Sequence, residues 1–307
     1  MISVSEENNS IFGRLVKISN DFVDVKVTID VGPRVIYFAA KGKNNMFYED
    51  INKSTLGDVQ DCYGGDIIKL YGGHRLWISP EEMPRCYYPD NKPVSYTVED
   101  NSVTFTAPVE EINYIQKSIT LTFSPDSSLV SVDNTIKNCG VWDIELAPWS
   151  ITQLAAGGIE IIPQSKRDTG YLHNRYVVLW PYSKMNDERV YFGDEFISLK
   201  QSPDAQCAFK IGTNNEDGFA AYFNKEQVFI KFFEPKLNGN YPDNGCCFET
   251  YTNSAMIEME ALGEFVKLAP NEQVFLSEEW EVYETPCLPD SKNEKQFKEL
   301  LQKYISF

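Results

Sequence analysis

Glu249 is a carboxylate inside an otherwise apolar segment, residues 246–251, that is predicted to be a strand. An unpaired carboxylate in such a place is costly unless it meets a cation or acts as a proton donor. Two interpretations remain open at this point. Either a cation such as Arg75 or Lys231 neutralises Glu249, or Glu249 exchanges protons with a ligand.

The segment Tyr71-Gly-Gly-His-Arg-Leu-Trp-Ile-Ser-Pro-Glu81 combines a histidine, an arginine, a tryptophan and a glutamate. Its two glycines let the backbone turn tightly or approach a ligand. In the extended stretch that follows, His74 lies on one face and Arg75 and Trp77 on the other, because side chains alternate along a strand. These residues and Glu81 are candidates for a site. A core strand with a hydrogen-bonded His74 is the alternative.

Two further segments carry tryptophans that could bind a ligand. Trp149 lies in an Ala-Pro-Trp-Ser-Ile-Thr segment, and Trp180 follows His173 and Arg175 in a segment that ends Leu-Trp-Pro-Tyr. The flat apolar face of an indole ring can support the C–H side of a sugar ring. We therefore interpret these two rings and Trp77 as candidate platforms for a carbohydrate, with burial in the core as the alternative.

Charged side chains in these motifs refine the expected ligand. Arg75, Arg175 and Lys231 are cations in an otherwise acidic chain, and they could clamp a carboxylate or a phosphate. This pattern predicts an anionic sugar, and neutralisation of a buried carboxylate is the alternative.

Glu258 and Glu260 would share one strand face at about 7 Å, a separation that glycosidase pairs also have. Solvated strand faces commonly show the same spacing.

Alternation of apolar and polar residues with a period of two runs through most of the chain, for example over 23–30 and 118–123. This pattern predicts strands, and short turns rich in Asn, Asp and Gly predict hairpins between them. We count about fifteen strands, whereas a strongly twisted open sheet rarely exceeds about ten. The sequence therefore predicts an all-β fold of two large, mainly antiparallel stacked sheets.

No linker, charge block or internal repeat divides the chain. Residues 1–307 are therefore predicted to form one domain, with a core from about residue 11 to about residue 285. The exception to the strand pattern is an amphipathic helix predicted over 290–305, with Ser291 as its N-cap. Its apolar stripe, at helical spacing, consists of Phe297, Leu300, Leu301 and Tyr304.

Composition excludes several classes of function. The chain has 307 residues with 28 Lys and Arg against 45 Asp and Glu, a net charge of −17. Such a charge repels nucleic acid.

The sequence lacks a secretory signal and a run of about 18 apolar residues, so we expect a cytoplasmic location and no membrane contact. Seven cysteines without C-x-x-C spacing predict reduced thiols.

Cofactors are not expected either. The chain has two histidines and no cluster of Asp ligands, a poor basis for a metal site. Its glycines match neither the dinucleotide fingerprint nor the phosphate-binding loop. The sequence thus predicts neither a metal nor a cofactor, and it does not determine the oligomeric state.

Four motifs together carry a family resemblance. They are Gly-Gly-His-Arg-Leu-Trp with Pro-Glu at 72–81, Ala-Pro-Trp-Ser-Ile-Thr at 147–152, Leu-Trp-Pro-Tyr at 179–182, and Tyr-Pro-Asp-Asn-Gly-Cys-Cys-Phe-Glu at 241–249. From Val31 to Tyr283 the chain resembles the domain family of unknown function numbered 4380, within the galactose mutarotase-like, or aldose 1-epimerase-like, superfamily. The resemblance implies a β-supersandwich that binds a carbohydrate.

Aldose 1-epimerases open a sugar ring with two groups, and the resemblance implies where these would lie. A carboxylate takes the proton of the anomeric hydroxyl while a histidine protonates the ring oxygen. Glu249, followed by Thr250, matches that carboxylate. Trp149 stands where those enzymes have the histidine, and an indole cannot deliver a proton near neutral pH. Either His74 or His173 would then have to supply the proton, and His74 is the better candidate for the acid.

Two functions follow from this comparison of residues. The first is an isomerase for a sugar or an anionic sugar, with Glu249 as the base and His74 as the acid. The second is a sugar-binding or sensing module that has lost the acid, with the three tryptophans as platforms. A glycan hydrolase or lyase is a third class, and it would need a carboxylate pair such as Glu81 with Glu82, or Glu258 with Glu260.

Overall fold

Two large sheets make up the protein in a computed structural model that describes residues 1–55, 63 and 65–306. All strand pairs within the described residues are antiparallel. With strands numbered in chain order, the first sheet consists, in spatial order, of β1 (Ser3–Asn9), β2 (Gly13–Ser19), β3 (Val23–Thr28), β4 (Val35–Ala40), β5 (His74–Ser79), β10 (Ile144–Ala155), β19 (Met256–Leu262), β18 (Phe248–Thr252), β15 (Phe209–Thr213) and β12 (Val177–Leu179), with β20 (Val266–Leu268) paired to β10.

The second sheet has ten strands and covers one face of the first. Its strands, in spatial order, are β13 (Val190–Phe192), β14 (Phe196–Lys200), β11 (Ile159–Pro163), β16 (Phe219–Asn224), β17 (Gln227–Phe233), β21 (Gln273–Glu284), β9 (Val130–Asn138), β8 (Ile115–Phe123), β7 (Ser102–Thr106) and β6 (Ser95–Glu99). The predicted all-β fold of two large antiparallel sheets is confirmed.

Burial along the strands explains why period-two alternation predicted some of them so well. In β9, buried and half-buried residues alternate along all nine positions, because one face packs on the core and the other is partly solvated. In β10, ten consecutive residues from Leu146 to Ala155 are buried. Both faces of β10 are therefore covered, one by the second sheet and the other by side chains around a cleft.

The core between the sheets is centred on four aromatic rings. Phe38 of the first sheet and Phe229 and Trp280 of the second meet Phe47, with ring centroids 5.3 to 5.9 Å apart. Five of the six contacts are edge-to-face, the arrangement that the quadrupoles of aromatic rings favour. These rings hold the two sheets at a fixed separation.

A C-terminal helix, α1 (Glu294–Leu301), packs on the outer face of the second sheet. It begins later than the predicted residue 290, because the side chain of Asn293, rather than Ser291, accepts a hydrogen bond from the Gln296 N–H at 3.1 Å. Glu294 accepts the backbone N–H groups of Glu195 and Phe196 at 2.7 and 2.8 Å. None of the described helices has the length and apolarity required to cross a membrane.

Docking of α1 depends on Phe297, which is fully buried against the sheet. Phe297→Ala is expected to lower the free energy of unfolding by about 3–5 kcal/mol, as for other large-to-small changes in cores. Urea unfolding followed by circular dichroism measures this loss. Lys295→Ala, at an exposed position of the same helix, is the control and should change stability by less than about 0.5 kcal/mol. Equal stability of both variants would show that α1 is not docked.

Candidate functional site

A cleft of about 900 Å³, counted to its open mouth, lies on the face of the first sheet that points away from the second sheet. Five neighbouring strands, β5, β10, β19, β18 and β15, form its floor. Side chains of these strands that line it are Arg75, Trp77, Trp149, Ile151, Met256, Glu258, Tyr251 and Lys210. Loops add Leu70, Glu81, Tyr87, Tyr182, Ala208 and Asn253.

Strand register brings these side chains together from distant parts of the sequence. Arg75 lies opposite Ile151, which lies opposite Glu260 on the next strand. Glu260 in turn lies opposite Glu249, and Glu249 opposite Gly212. Directly paired residues point to the same face of a sheet, so this row and the residues two positions away in each strand share the cleft side.

Aromatic rings form two walls of the cleft. The Trp77 ring lies 5.5 Å from that of Trp149 and 5.3 Å from that of Tyr87, both in edge-to-face contact. Tyr182 and Tyr251 meet edge-to-face at 6.3 Å on the other side. The site therefore offers rigid apolar surfaces whose edges carry polar N–H and O–H groups.

At the floor, one lysine pairs with two glutamates. The Lys210 Nζ lies 2.7 Å from Glu249 Oε2 and 2.9 Å from Glu260 Oε2. Trp149 Nε1 also donates a hydrogen bond to Glu260 Oε2, at 2.8 Å. The ammonium lies 4.7 Å from the ring centroids of both Trp149 and Trp180, so it is also held by two cation–π contacts.

One ammonium group is paired with two carboxyl groups in this cluster, so its positive and negative charges do not balance. Burial alone would lower the pKa of Lys210, but the carboxylates of Glu260 and Glu249 outweigh it and raise that pKa well above its ordinary value. Burial raises the pKa of Glu249 well above its usual range, although Lys210 opposes this. The raised pKa of Lys210 means that its ammonium group stays charged. The raised pKa of Glu249 means that one of the two carboxyl groups readily takes up a proton.

Glu258 and Arg75 are the charged groups on the cleft beside this cluster. The Glu258 carboxyl is 8% exposed and accepts a hydrogen bond from Gln153 Nε2 at 2.6 Å. Burial, reinforced by the charge of Glu260, raises its pKa to about 7. Arg75 stacks on Trp77 with 4.0 Å between guanidinium carbon and ring centroid, and burial lowers its pKa to about 10. Glu258 can therefore gain or lose a proton near neutral pH.

Several predicted site residues meet in this cleft. Arg75, Trp77, Glu81 and Trp149 line it, and Trp180 reaches its floor through Lys210. The Glu81 carboxylate accepts a hydrogen bond from the Tyr87 hydroxyl. The four motifs therefore contribute to one site, although the first ends at residue 81 and the last begins at residue 241.

Glu249 lies beneath the cleft rather than on its wall. It is 1% exposed and meets the cleft through the ammonium of Lys210, while its Oε1 has no partner within the described residues. The predicted neutralisation by a cation is present, but the cation is Lys210 and not Arg75 or Lys231. A carboxylate in this place positions Lys210 and has no direct access to a ligand.

His74 and Lys231 lie on the opposite side of the sheet, in the core. The two ring nitrogens of His74 lie 2.8 Å from Thr152 Oγ1 and 2.9 Å from Asn134 Oδ1. Burial lowers the pKa of His74 to about 4, so the ring is neutral at physiological pH. Lys231 pairs with Glu278 at 3.1 Å. The proton-donor role predicted for His74 and the ligand-binding role predicted for Lys231 do not fit these positions.

Arg175 is likewise remote from the cleft. Its Nε and Nη1 donate to the backbone carbonyls of Ser165 and Asp194, at 3.1 and 2.7 Å. Arg175 thereby ties the loop before β12 to the turn after β13. Of the three cations singled out by the sequence, only Arg75 lines the cleft.

Sequence reasoning missed Lys210, the cation at the centre of the site. A signal for it exists, since Lys210 interrupts the apolar strand Phe209-Lys-Ile-Gly-Thr213 as Glu249 interrupts its own. Two opposite charges in buried strands predict a pair only if the strands are neighbours in the sheet. That adjacency of β15 and β18 is a property of the topology.

Searches for related proteins gave structural matches alone. No protein-family model and no curated protein matches the chain. A TPR-domain-containing protein from Parabacteroides distasonis has a TM-score of 0.61 at 14% identity, over 89% of this chain and 48% of the other. This chain thus spans about half of that protein.

Two further solved structures match over nearly their whole length. The Slr1438 protein from Synechocystis has a TM-score of 0.56 at 10% identity, over 89% of this chain and 96% of the other. A galactose mutarotase-like protein from Lactobacillus casei has a TM-score of 0.55 at 10% identity, over 88% and 100%. The predicted mutarotase-like fold is confirmed, while membership of the family numbered 4380 stays a prediction.

The ion cluster should be detectable in stability. Lys210→Met leaves two buried carboxyl groups without a cation and is expected to cost about 3–5 kcal/mol of unfolding free energy. The cost should be smaller at about pH 5 than at about pH 8, because a protonated carboxyl needs no cation. Urea unfolding at both pH values measures this loss of unfolding free energy. In the control, Lys236→Met removes the more exposed pair with Glu264, worth less than about 1 kcal/mol. Equal, pH-independent losses would contradict the cluster.

Proposed function

We propose that this protein binds a carbohydrate in the cleft on the first sheet. The observation that carries the proposal is the meeting, in one cleft of about 900 Å³, of two indole rings with the buried polar groups Arg75, Lys210 and Glu258. Sugars present apolar C–H faces and polar edges, and such a site complements both at once.

The structural comparisons support the same ligand class. The protein from Lactobacillus casei that shares the fold is described as galactose mutarotase-like. The cleft here is built on five central strands of the corresponding fold, and it is largely preformed by paired strands rather than by loops. A preformed site loses little conformational entropy when a small ligand binds.

Sugar binding is tested by saturation-transfer difference NMR with galactose, glucose, glucuronic acid and glucose phosphate as probes. We expect at least one to bind, and Trp77→Ala to weaken it by about tenfold through loss of one stacking face. Tyr182→Ala, at a partly exposed wall residue, should weaken binding less. Trp142→Ala, whose ring is 80% exposed outside the cleft, is the control and should bind as the unaltered protein does. Binding that survives Trp77→Ala unchanged would refute the site.

Ring-opening isomerisation is a second candidate, favoured by Glu258. An acid–base group works best when its pKa is close to the ambient pH, and that of Glu258 is raised to about 7. In its ionised form Glu258 would take the proton of an anomeric hydroxyl. Protonation of the ring oxygen would need a second group on the cleft, and the hydrogen-bonded pair of Tyr87 and Glu81 is the candidate. Without such catalysis the protein would be a binding or sensing module.

NMR exchange spectroscopy of α and β anomers separates these alternatives. If Glu258 is the base, anomer exchange should accelerate as the pH rises through about 7, where its carboxylate forms. Glu258→Gln should abolish the acceleration, and Glu99→Gln, at an exposed residue of β6, should retain it. Binding without any acceleration would establish the module and exclude the isomerase.

A further inference from the structure

Trp77 lines a second cavity as well as the cleft. This cavity, which we call the side cavity, has a volume of about 570 Å³ when it is counted out to its open mouth. Its lining includes Arg34, Asp90 and Lys117 together with apolar side chains such as Leu76. Apart from Trp77 it shares no lining residue with the cleft among the described residues. The side cavity is therefore a space separate from the cleft, and it is open to solvent at its mouth.

Arg34 has unused hydrogen-bond donors at this cavity. The residue is 2% exposed, and its Nη1 forms an ion pair with Asp90 and donates to the Pro33 carbonyl at 3.4 Å. Its Nε and Nη2 have no partner within the described part of the chain. These two nitrogens lie on one edge of the guanidinium, and together they form the fork that binds two oxygens of a carboxylate or a phosphate.

The segment that carries Asp90 is held in place without using this fork. Gly32 N–H donates to the Asp90 carbonyl at 2.7 Å, and the Tyr71 hydroxyl donates to Asn91 Oδ1 at 2.7 Å. Asp90 meets Arg34 through one carboxylate oxygen, and its other oxygen has no partner within the described residues. Buried N–H groups without an acceptor are unfavourable, so an added acceptor would be stabilising.

A second arginine adds to the positive charge. Val35 is paired with His74, which places Arg34 beside Arg75 on the neighbouring strand. Arg75 forms no ion pair with any described residue, and its Nε and Nη1 also lack partners there. Lys117 is neutralised by Glu110 at 2.7 Å. Because Arg75 also lies in the field of Glu258 and Glu260, it adds only part of a charge here, and the free donors of Arg34 are what favours an anion.

We propose that the side cavity is an oxyanion site, in which Arg34 Nε and Nη2 donate to two oxygens of a carboxylate, phosphate or sulfate group. The apolar walls, including Leu76 and one side of Trp77, would contact the body of an organic anion. The proposal does not depend on sugar binding, because the donors it uses belong to Arg34, which does not line the cleft, although Trp77 and Arg75 do.

Thermal unfolding at constant ionic strength tests the site with inorganic phosphate, sulfate, acetate and glucuronate as separate probes. At least one should raise the melting temperature saturably below about 10 mM, since a ligand of the native state stabilises it. Loss of two charge-assisted hydrogen bonds in Arg34→Gln should weaken that binding by about tenfold or more. Arg14→Gln, which makes the same charge change at an exposed ion pair, should respond as the unaltered protein does.

Asp90→Asn provides a second test that does not require removal of a buried arginine. Asp90 competes with the anion for Arg34, so its neutralisation should tighten anion binding several-fold while the side cavity is preserved. This result supports the site even if Arg34→Gln fails to fold. Binding that is unchanged or weaker in Asp90→Asn, equal binding in Arg34→Gln and Arg14→Gln, or no saturable effect of any probe would overturn the proposal. Sugar binding in the cleft would stand in each case.

Discussion

Antiparallel pairing of β5, β10, β19, β18 and β15 is the constraint on which the rest of the structure depends. Because side chains alternate along each strand, the register decides which residues meet in the cleft and which meet in the core. His74 and Arg75 are adjacent in sequence, yet one lies between the sheets and the other lines the cleft. A shift of the β5 register by one residue would exchange their positions. His74 would lose its hydrogen bonds in the core, and Arg75 would lose its place on the cleft wall.

Buried ion pairs lie on both sides of the first sheet, and the pair on the core side belongs to strands of the second sheet. On the cleft side Lys210 is paired with Glu249 and Glu260, and on the core side Lys231 is paired with Glu278. Hydrophobic residues of similar size could fill such sites without loss of stability, so buried ion pairs are poor evidence of a purely structural role. The cleft-side cluster borders the cleft through Lys210, and Glu249 Oε1 and Glu260 Oε1 have no partner within the described residues. Of its charged groups, Lys210 is the one that lines the cleft and could contact a ligand.

Trp77 connects the two spaces on which the functional proposals are based. Its ring supports Arg75, contacts Trp149 and Tyr87, and lines both the cleft and the side cavity. A ligand in either space would contact the same rigid side chain.

The amino-acid sequence alone determined the fold class, because period-two alternation is a local pattern and too many strands for one sheet require two. It also identified Arg75, Trp77, Glu81 and Trp149, which line the cleft. Tertiary structure alone decided that Lys210, and not Arg75 or Lys231, is the cation of Glu249. The physical reason is that a charge pair depends on which strands are neighbours and which face each side chain occupies. Both are set by pairing between segments far apart in the chain, which no local pattern encodes.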